Sequence, residues 1–226
     1  MPVSSTVHSG HYDAESGARY FAWQRAVGEF GGWANASKFL EFMAPEDRVV
    51  DFGCGGGYLL AQLPQSEKRG IEVSDAARAT AQSNGITTVA SAAELPSDWA
   101  DIIISNHALE HTLHPLVELQ ALRRVLKPGG RIVMVVPNEG VFRRWDPSDR
   151  NHHLYTWAPL NLGHLFTEAG FVVDECQPYY HKWPPFHRAV VRIGGRRLFD
   201  ILATIWAQID RRWFQVRIVG HRPAEG

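Results

Sequence analysis

The chain has 226 residues, of which 45% are hydrophobic and 21% charged, with a formal net charge of −1. That length suffices for one α/β core, and the near-neutral balance excludes the strongly basic footprint of a general nucleic-acid binder. Cys54 and Cys176 are too few and too far apart for a disulfide framework, so a reducing, cytoplasmic compartment is expected, and with no leader pattern and no run of about 18 apolar residues, neither secretion nor a membrane span is expected.

In chain order, residues 1–45 read as a polar arm followed by helical segments. Phe39, Leu40, Phe42 and Met43 predict an apolar helical face that Pro45 and Glu46 end. Val49-Val50-Asp51-Phe52 then reads as a buried parallel strand. Asp51 puts a carboxylate at its carboxyl end, where open α/β sheets bind ligands. Gly53, Gly55 and Gly57 follow, and without a Cβ they permit backbone angles and close ligand approach that other residues block. Cys54 reads as a small packing residue within this turn. A glycine-rich turn of this kind is weak evidence alone.

Arg69 to Val73 predicts a second strand. Glu72 falls about twenty residues beyond the first, the place of an acid that chelates the hydroxyls of an adenosine ribose. After a third strand, Glu94 in Ala93-Glu94-Leu95-Pro96 reads as facing solvent or capping a turn. Asp101 to Asn106 predicts a fourth strand, and His107, Glu110 and His111 just beyond it share one face if they make a helical turn. Pro115 marks the start of the longer helix. Arg124 to Gly130 closes that helix, and Arg131 to Pro137 forms a fifth strand. Strand and helix therefore alternate through residues 46–137, which predicts a right-handed, doubly wound, mainly parallel sheet.

Residues 138–226 continue with a polar loop carrying His152, His153, Tyr155 and Trp157, a helix near 158–169, a strand near 171–177, a helical insertion and a last strand near 213–219. Residues 180–212 are basic, with Lys182, Arg188, Arg192, Arg196, Arg197, Arg211 and Arg212 against Asp200 and Asp210. Leu198, Ile201, Leu202, Ile205 and Ile209 recur there at helical spacing, with Trp206 beside them, predicting a stripe that packs on the domain or forms a homodimer contact. An interfacial membrane helix, or an arginine clamp for a phosphorylated acceptor, are the less favoured readings. Seven of the eight tryptophans lie outside residues 46–137. Most are expected to anchor their segments by burial, with one or two lining a ligand pocket.

The run D-F-G-C-G-G-G from Asp51, the L-E-H of Leu109-Glu110-His111 and the R-V-L-K-P-G-G from Arg124, with the acid at Glu72, resemble the class I S-adenosylmethionine-dependent methyltransferases of the small-molecule group. The likeness is continuous over 46–137 and looser beyond, where it resembles enzymes of bacterial glycan and natural-product pathways. It implies a Rossmann-like, seven-stranded α/β sheet with an antiparallel last strand, a helical N-terminal cover over residues 1–45, a cofactor core over 46–137 and acceptor-side elements over 138–226, all in one domain. It implies S-adenosylmethionine as cofactor, with S-adenosylhomocysteine as product, held by Asp51, Gly53, Gly55, Gly57, Glu72 and Val73. Ser91, at the position of the family's usual acid, or Ala92 would meet the adenine, and Asn106 the methionine part. Tyr12 to Gln24 resembles the helical cover, with Tyr20 either bonding near the methionine end or packing the helix.

Methyl transfer to a hydroxyl also calls for a base, and histidine suits neutral pH. His153, His111 and His107 are the candidates, with His153 preferred. His152 reads as the solvated or capping neighbour of His153, and His8, His11, His164, His181, His187 and His221 read as surface or locally bonded residues. The similar E-x-x-E-H pattern of ubiquinone-biosynthesis O-methyltransferases is associated with a divalent metal. His107, Glu110 and His111 are therefore a metal set here, ranked below a loop-ordering or basic role. The expected acceptor is a small molecule, a sugar, nucleotide-linked sugar or secondary metabolite, methylated on a hydroxyl or an amine. Two alternatives stay open, a non-catalytic cofactor-binding partner protein and a nicotinamide-dependent oxidoreductase.

Overall fold

Seven strands, β1 (Val49–Phe52), β2 (Lys68–Ile71), β3 (Thr87–Val89), β4 (Ala100–Asn106), β5 (Leu126–Asn138), β6 (Val172–Tyr179) and β7 (Phe214–His221), join in one sheet in the order β3-β2-β1-β4-β5-β7-β6. They belong to a computed structural model that describes residues 28–140, 144–149 and 151–224. The first five strands are mutually parallel, and β7 slots between β5 and β6 antiparallel to both. The expected mixed sheet with an antiparallel last strand is thus present.

Alternation along the strands sorts the core into two layers. Val50, Ile103, Ile132, Met134 and Val136 face one layer together with Leu119, Leu122 and Phe166. Val49, Ile102, Ile104, Val133 and Val135 face the other with Leu60 and Ala81. All four residues of β1 are buried, as a central parallel strand covered on both faces requires. The helices are residues 28–36 (α1), α2 (Asp75–Ser83), α3 (Pro115–Val125), α4 (Pro159–Glu168) and α5 (His187–Ile209). Pro115 and Pro159 stand at helix starts, where a missing N–H costs nothing. Ser74 caps α2 by accepting the Ala77 N–H.

Three expectations need correction. The apolar face predicted over 39–43 is only a 3-10 turn, Leu40–Phe42, in which Phe39 is buried and Leu40 exposed. The helix lies earlier, in 28–36, because Pro45 leaves too few residues beyond it for another. The K-P-G-G stretch belongs to the strand rather than to the end of the helix, since Leu126 pairs with Ala100, Gly129 N–H donates to Arg222 and Arg222 N–H to Gly130, so β5 begins at Leu126 and not at Arg131.

The stripe on α5 is the third. Its buried residues are Phe199, Ala203 and Ala207, while Ile201, Ile205 and Ile209 are exposed. The side chains of α1 explain this. Ala34, Phe30 and Trp33 pack against Phe199 and Ala203, and the small alanines allow a close helix approach that isoleucines would prevent. Among the described residues, then, the isoleucines of the stripe do not pack on the domain, while Leu198, Leu202 and Trp206 are half-buried. Gly195, at φ 61° and ψ −155°, kinks α5 in a conformation that other residues rarely adopt. No helix among the described residues is long and apolar enough to cross a membrane. The expected cover over Tyr12 to Gln24, with Tyr20, and also His8 and His11, lies outside the described residues.

Candidate functional site

A cavity of about 480 Å³ opens at the carboxyl ends of β1, β4 and β5. Its floor is the loop that leaves β1. Gly53 and Gly55 adopt φ of 76° and 53°, and Gly53 presses so near the segment leaving β4 that a Cβ there would sit 2.3 Å from the Ala108 Cβ. Asp51, Gly53, Cys54 and Gly55 line the cavity, as does Gly56. Gly57 does not. A Cβ on it would meet Ile86 and Ala81, so this glycine serves the packing of the loop on α2 and its following segment. Asp51 is buried, and burial first and then the nearby Glu72 carboxylate push its carboxyl well above the usual range.

Glu72 follows β2 with one carboxylate oxygen accepting the Gly55 N–H at 2.9 Å and the other accepting the Ser74 N–H at 2.8 Å. Burial raises its carboxyl, and these backbone donors and Arg78 oppose the rise. It thus ties the glycine loop to the start of α2. Val73 offers its carbonyl to Arg78 at 2.8 Å. Neither residue is among the cavity walls, and nor are Ser91 and Ala92. Local structure engages those two instead. Ser91 and Glu94 form a capping box around the turn Ala92–Glu94, which makes Glu94 the expected cap and uses the Ser91 hydroxyl for the Ala93 N–H. The Ala92 carbonyl accepts from Arg124 at 2.7 Å.

Across the cavity stands a cluster of ionisable groups. His107 takes a left-handed conformation, φ 59°, which costs a non-glycine residue about 1–2 kcal/mol and is typical of functional positions. The turn Leu109–His111 follows, with Glu110 completely buried. Its carbonyl accepts the N–H groups of Leu154 and Tyr155, and this draws the loop before α4 over the turn. His153 arrives by that route. Its Nδ1 lies 3.0 Å from Oε1 of Glu139, and its Nε2 lies 3.9 Å from Oε1 of Glu110.

His111 Nε2 is also 3.9 Å from that oxygen, and His107 Nδ1 is 3.5 Å from it. Neither Glu110 oxygen has a hydrogen-bond partner among the described residues. Burial would raise the Glu110 carboxyl, but His107 and His111 outweigh it and hold the group below its ordinary value. Burial also pushes His111 down to about 4, against the pull of Glu110, so its ring is neutral near pH 7.

The metal set drawn from the sequence is partly regrouped. The groups whose ligand atoms lie within 4.8 Å of one another are Glu110, His111 and His153, while His107 stands apart as a neighbour of Glu110. A carboxylate with two imidazoles is a donor set for a divalent transition ion, and Glu139 behind His153 would fix the ring as carboxylates do behind metal-bound histidines.

Sequence reasoning missed several walls. Gly28, Gly31, Gly32 and Asn35 of α1 line the cavity beside Tyr58. A Cβ on Gly28 or Gly32 would come within 2.3 Å of Tyr58 atoms, so these glycines let the helix lie over that residue. Their spacing of three and four along a helix was a signal for one glycine face. Glu139 and Asn151 carried no local signal. Of the tryptophans, Trp183 and Trp213 line the cavity, Trp157 is in the core and Trp145 is exposed. The arginine clamp is not assembled, because Arg188, Arg192, Arg197, Arg211 and Arg212 are exposed and none borders the cavity, and Arg196 stacks on Trp33. Asn106 does line the cavity, as do His107, His111 and His153. His181 is buried rather than on the surface.

A family model described as a methyltransferase domain matches residues 19–175. A ubiquinone biosynthesis O-methyltransferase of Roseobacter denitrificans is 31% identical over 182 residues, covering 74% of this chain and 62% of that protein. A malonyl-[acyl-carrier protein] O-methyltransferase of a Paenibacillus species is 27% identical over 161 residues, covering 59% of this chain and 58% of that protein. The chain thus spans about three-fifths of the length of these relatives. Among solved structures, a SAM-dependent methyltransferase of Archaeoglobus fulgidus matches with a TM-score of 0.63 at 17% identity, over 90% of this chain and 99% of that one. Phosphoethanolamine N-methyltransferase 2 of Haemonchus contortus, solved with S-adenosylhomocysteine, matches with a TM-score of 0.67 at 16% identity, over 99% of this chain and 61% of that one. These two likenesses are of fold.

Proposed function

Since the chain belongs to the methyltransferase domain family, we propose that it transfers the methyl group of S-adenosylmethionine to an oxygen of a small acceptor. The observation that carries this reading is one cavity bounded on one side by Asp51 and the glycine loop and on the other by the His153–Glu139 pair. Gly53, Gly55 and Asp51 would hold the adenosyl and methionine parts, with Asn106 nearby. Glu72 would reach the ribose by giving up one of its backbone donors. A floor of positive-φ glycines fits a flat, closely approached ligand, and side chains there would fill the space.

When bound, S-adenosylmethionine supplies an already activated methyl group, so the protein's main contribution is positioning, which can be worth about 7–11 kcal/mol. Trp183 and Trp213 give the acceptor side its aromatic walls. His153 takes the acceptor's hydroxyl proton on Nε2, and Glu139, bonded to Nδ1, fixes the tautomer and stabilises the imidazolium. His111, held neutral by burial, is the weaker base. The relatives named above are O-methyltransferases, which supports oxygen over nitrogen. A sugar acceptor rests only on the looser likeness of the segment after Pro137, and the unassembled arginine clamp speaks against a nucleotide-linked one.

One observation favours a second reading of the same cluster: the wholly buried Glu110 carboxylate has no partner at hydrogen-bond geometry among the described residues, His107 standing 3.5 Å away, and its ligand atoms group with those of His111 and His153. In that reading Glu110, His111 and His153 hold a divalent ion, which would bind the acceptor oxygen and acidify it. Titration with Co(II) decides between the two, since ligation by two imidazoles and a carboxylate gives visible d–d bands that His153→Ala weakens, whereas a purely basic role gives none.

Calorimetry with S-adenosylhomocysteine and with NADH tests the function itself. Saturable binding of the first and none of the second is expected. Binding of NADH alone would restore the oxidoreductase alternative, and tight binding of the first without turnover on any small hydroxylated acceptor would favour the partner-protein alternative.

A further inference from the structure

Beside the main cavity lies a second hollow of about 340 Å³, bounded by α1, the end of β4, the start of β7 and the segment leading from β6 into α5. Asn106, His107, Trp183 and Trp213 are walls of both, so the two spaces adjoin. The inner end of the hollow is polar and closed to solvent. Lys38 there is 2% exposed, and its Nζ donates to Oε1 of Gln215 at 2.7 Å and to Oδ1 of Asn106 at 2.9 Å.

Both partners are neutral. Among the described residues no carboxylate lies within ion-pair distance of Lys38. A buried cation without a counter-charge is expensive, and burial accordingly draws Lys38 down to about 7. Lys182 nearby is different, since Asp210 sits 3.1 Å from its Nζ and neutralises it. His181 is buried as well, and neither of its ring nitrogens has a hydrogen-bond partner among the described residues, the nearest carboxylate oxygen, on Asp200, standing at 3.6 Å. An imidazole whose only nearby carboxylate stands at 3.6 Å and a cation with no carboxylate in ion-pair distance among the described residues thus border one space, which Trp183 and Trp213 also line.

We propose that this hollow is the anchoring subsite for the acceptor and that it takes a carboxylate borne on a flat apolar body, with Lys38 as counter-charge and His181 as second donor. The inference rests on the methyl-transfer reading and deepens it by naming the substrate class, small hydroxylated aromatic acids. The carboxylate would lie against Lys38 and the ring between Trp183 and Trp213, leaving the hydroxyl in the main cavity. A phosphate dianion suits the place less well, because of the two lysines on its wall Lys182 is already neutralised by Asp210, which leaves Lys38 to match a single negative charge, and no arginine borders the hollow.

The test is a calorimetric titration of the whole protein near neutral pH with benzoate and with its neutral isostere benzamide, in the presence and absence of S-adenosylhomocysteine. Benzoate is expected to bind saturably and about tenfold or more tightly than benzamide. Lys38→Met should abolish that preference. Gln215→Glu should abolish it too while keeping Lys38 paired in the folded chain, because the new carboxylate occupies the place of the ligand's, and it decides the matter if the Lys38 variant does not fold. Equal binding of the two probes, no binding of benzoate, or an undiminished preference in Gln215→Glu would overturn the proposal. Failure to bind S-adenosylhomocysteine would instead strike at the methyl-transfer reading, and the benzoate titration without it still reads the subsite.

Discussion

Glu139 and His153 meet across the connection from β5 to α4, with Oε1 of the one 3.0 Å from Nδ1 of the other. The bond turns Nε2 of His153 toward Glu110 and the cavity. His153→Ala should therefore lower kcat by about a hundredfold, the low end of general-base contributions, with little change in S-adenosylhomocysteine affinity. Glu139→Gln should lower kcat less, since the ring keeps a hydrogen-bond partner. Single-turnover kinetics and calorimetry check the pair, and an unchanged kcat in His153→Ala would remove this residue from the chemistry.

Glu72 organises the loop through Gly55 and is the candidate for the ribose. Glu72→Ala is expected to weaken S-adenosylhomocysteine binding by about 1–3 kcal/mol. Calorimetry gives the value directly. An affinity within error of the wild type would show that the acid serves only the loop.

Gly53 combines a positive φ with a neighbour 2.3 Å from where a Cβ would be. Gly53→Ala should destabilise the fold by about 2 kcal/mol or more, from left-handed strain and overpacking together. Urea denaturation should show a lower midpoint with an unchanged slope. A midpoint equal to the wild type would mean that Ala108 yields freely.

Lys38 gives the protein a pH signature. Its folded value, about 7, lies below its ordinary 10.5, so between these values the unfolded chain binds more protons. Stability from this group must then rise as pH climbs through that window, and the cost of the buried charge is fully present below it. Lys38→Met lacks this dependence. The stability of the wild type relative to the variant should increase between about pH 6.5 and about pH 9.5 in urea melts, and parallel pH profiles would show that the amine is solvated.

The strands, the glycine turn and Glu72 were legible in the sequence because their signals are local. Val49 and Val50, three glycines and an acid at fixed spacing declare their conformation within a few residues. Whether the α5 stripe packs inward was not legible for a related reason, since helical spacing identifies an apolar face but not which face meets the core. Ile201 and Ala203 are both apolar, and only the approach of α1 decided that the smaller one goes inside.

The partners in the candidate site were decided by tertiary structure. His153 was chosen from its position alone, yet nothing in the sequence pairs it with Glu139 or brings Glu110 to it, because that contact depends on the loop docking onto the turn after β4. Lys38 and Gln215, 177 residues apart, meet only because β7 inserts beside β5. The sequence by itself determined the succession of strands and helices through the core and that a glycine loop follows β1. Which polar groups lose water, and therefore become able to bind or react, was set by the long-range closure of the sheet, since burial is a property of the assembled surfaces and not of any short segment.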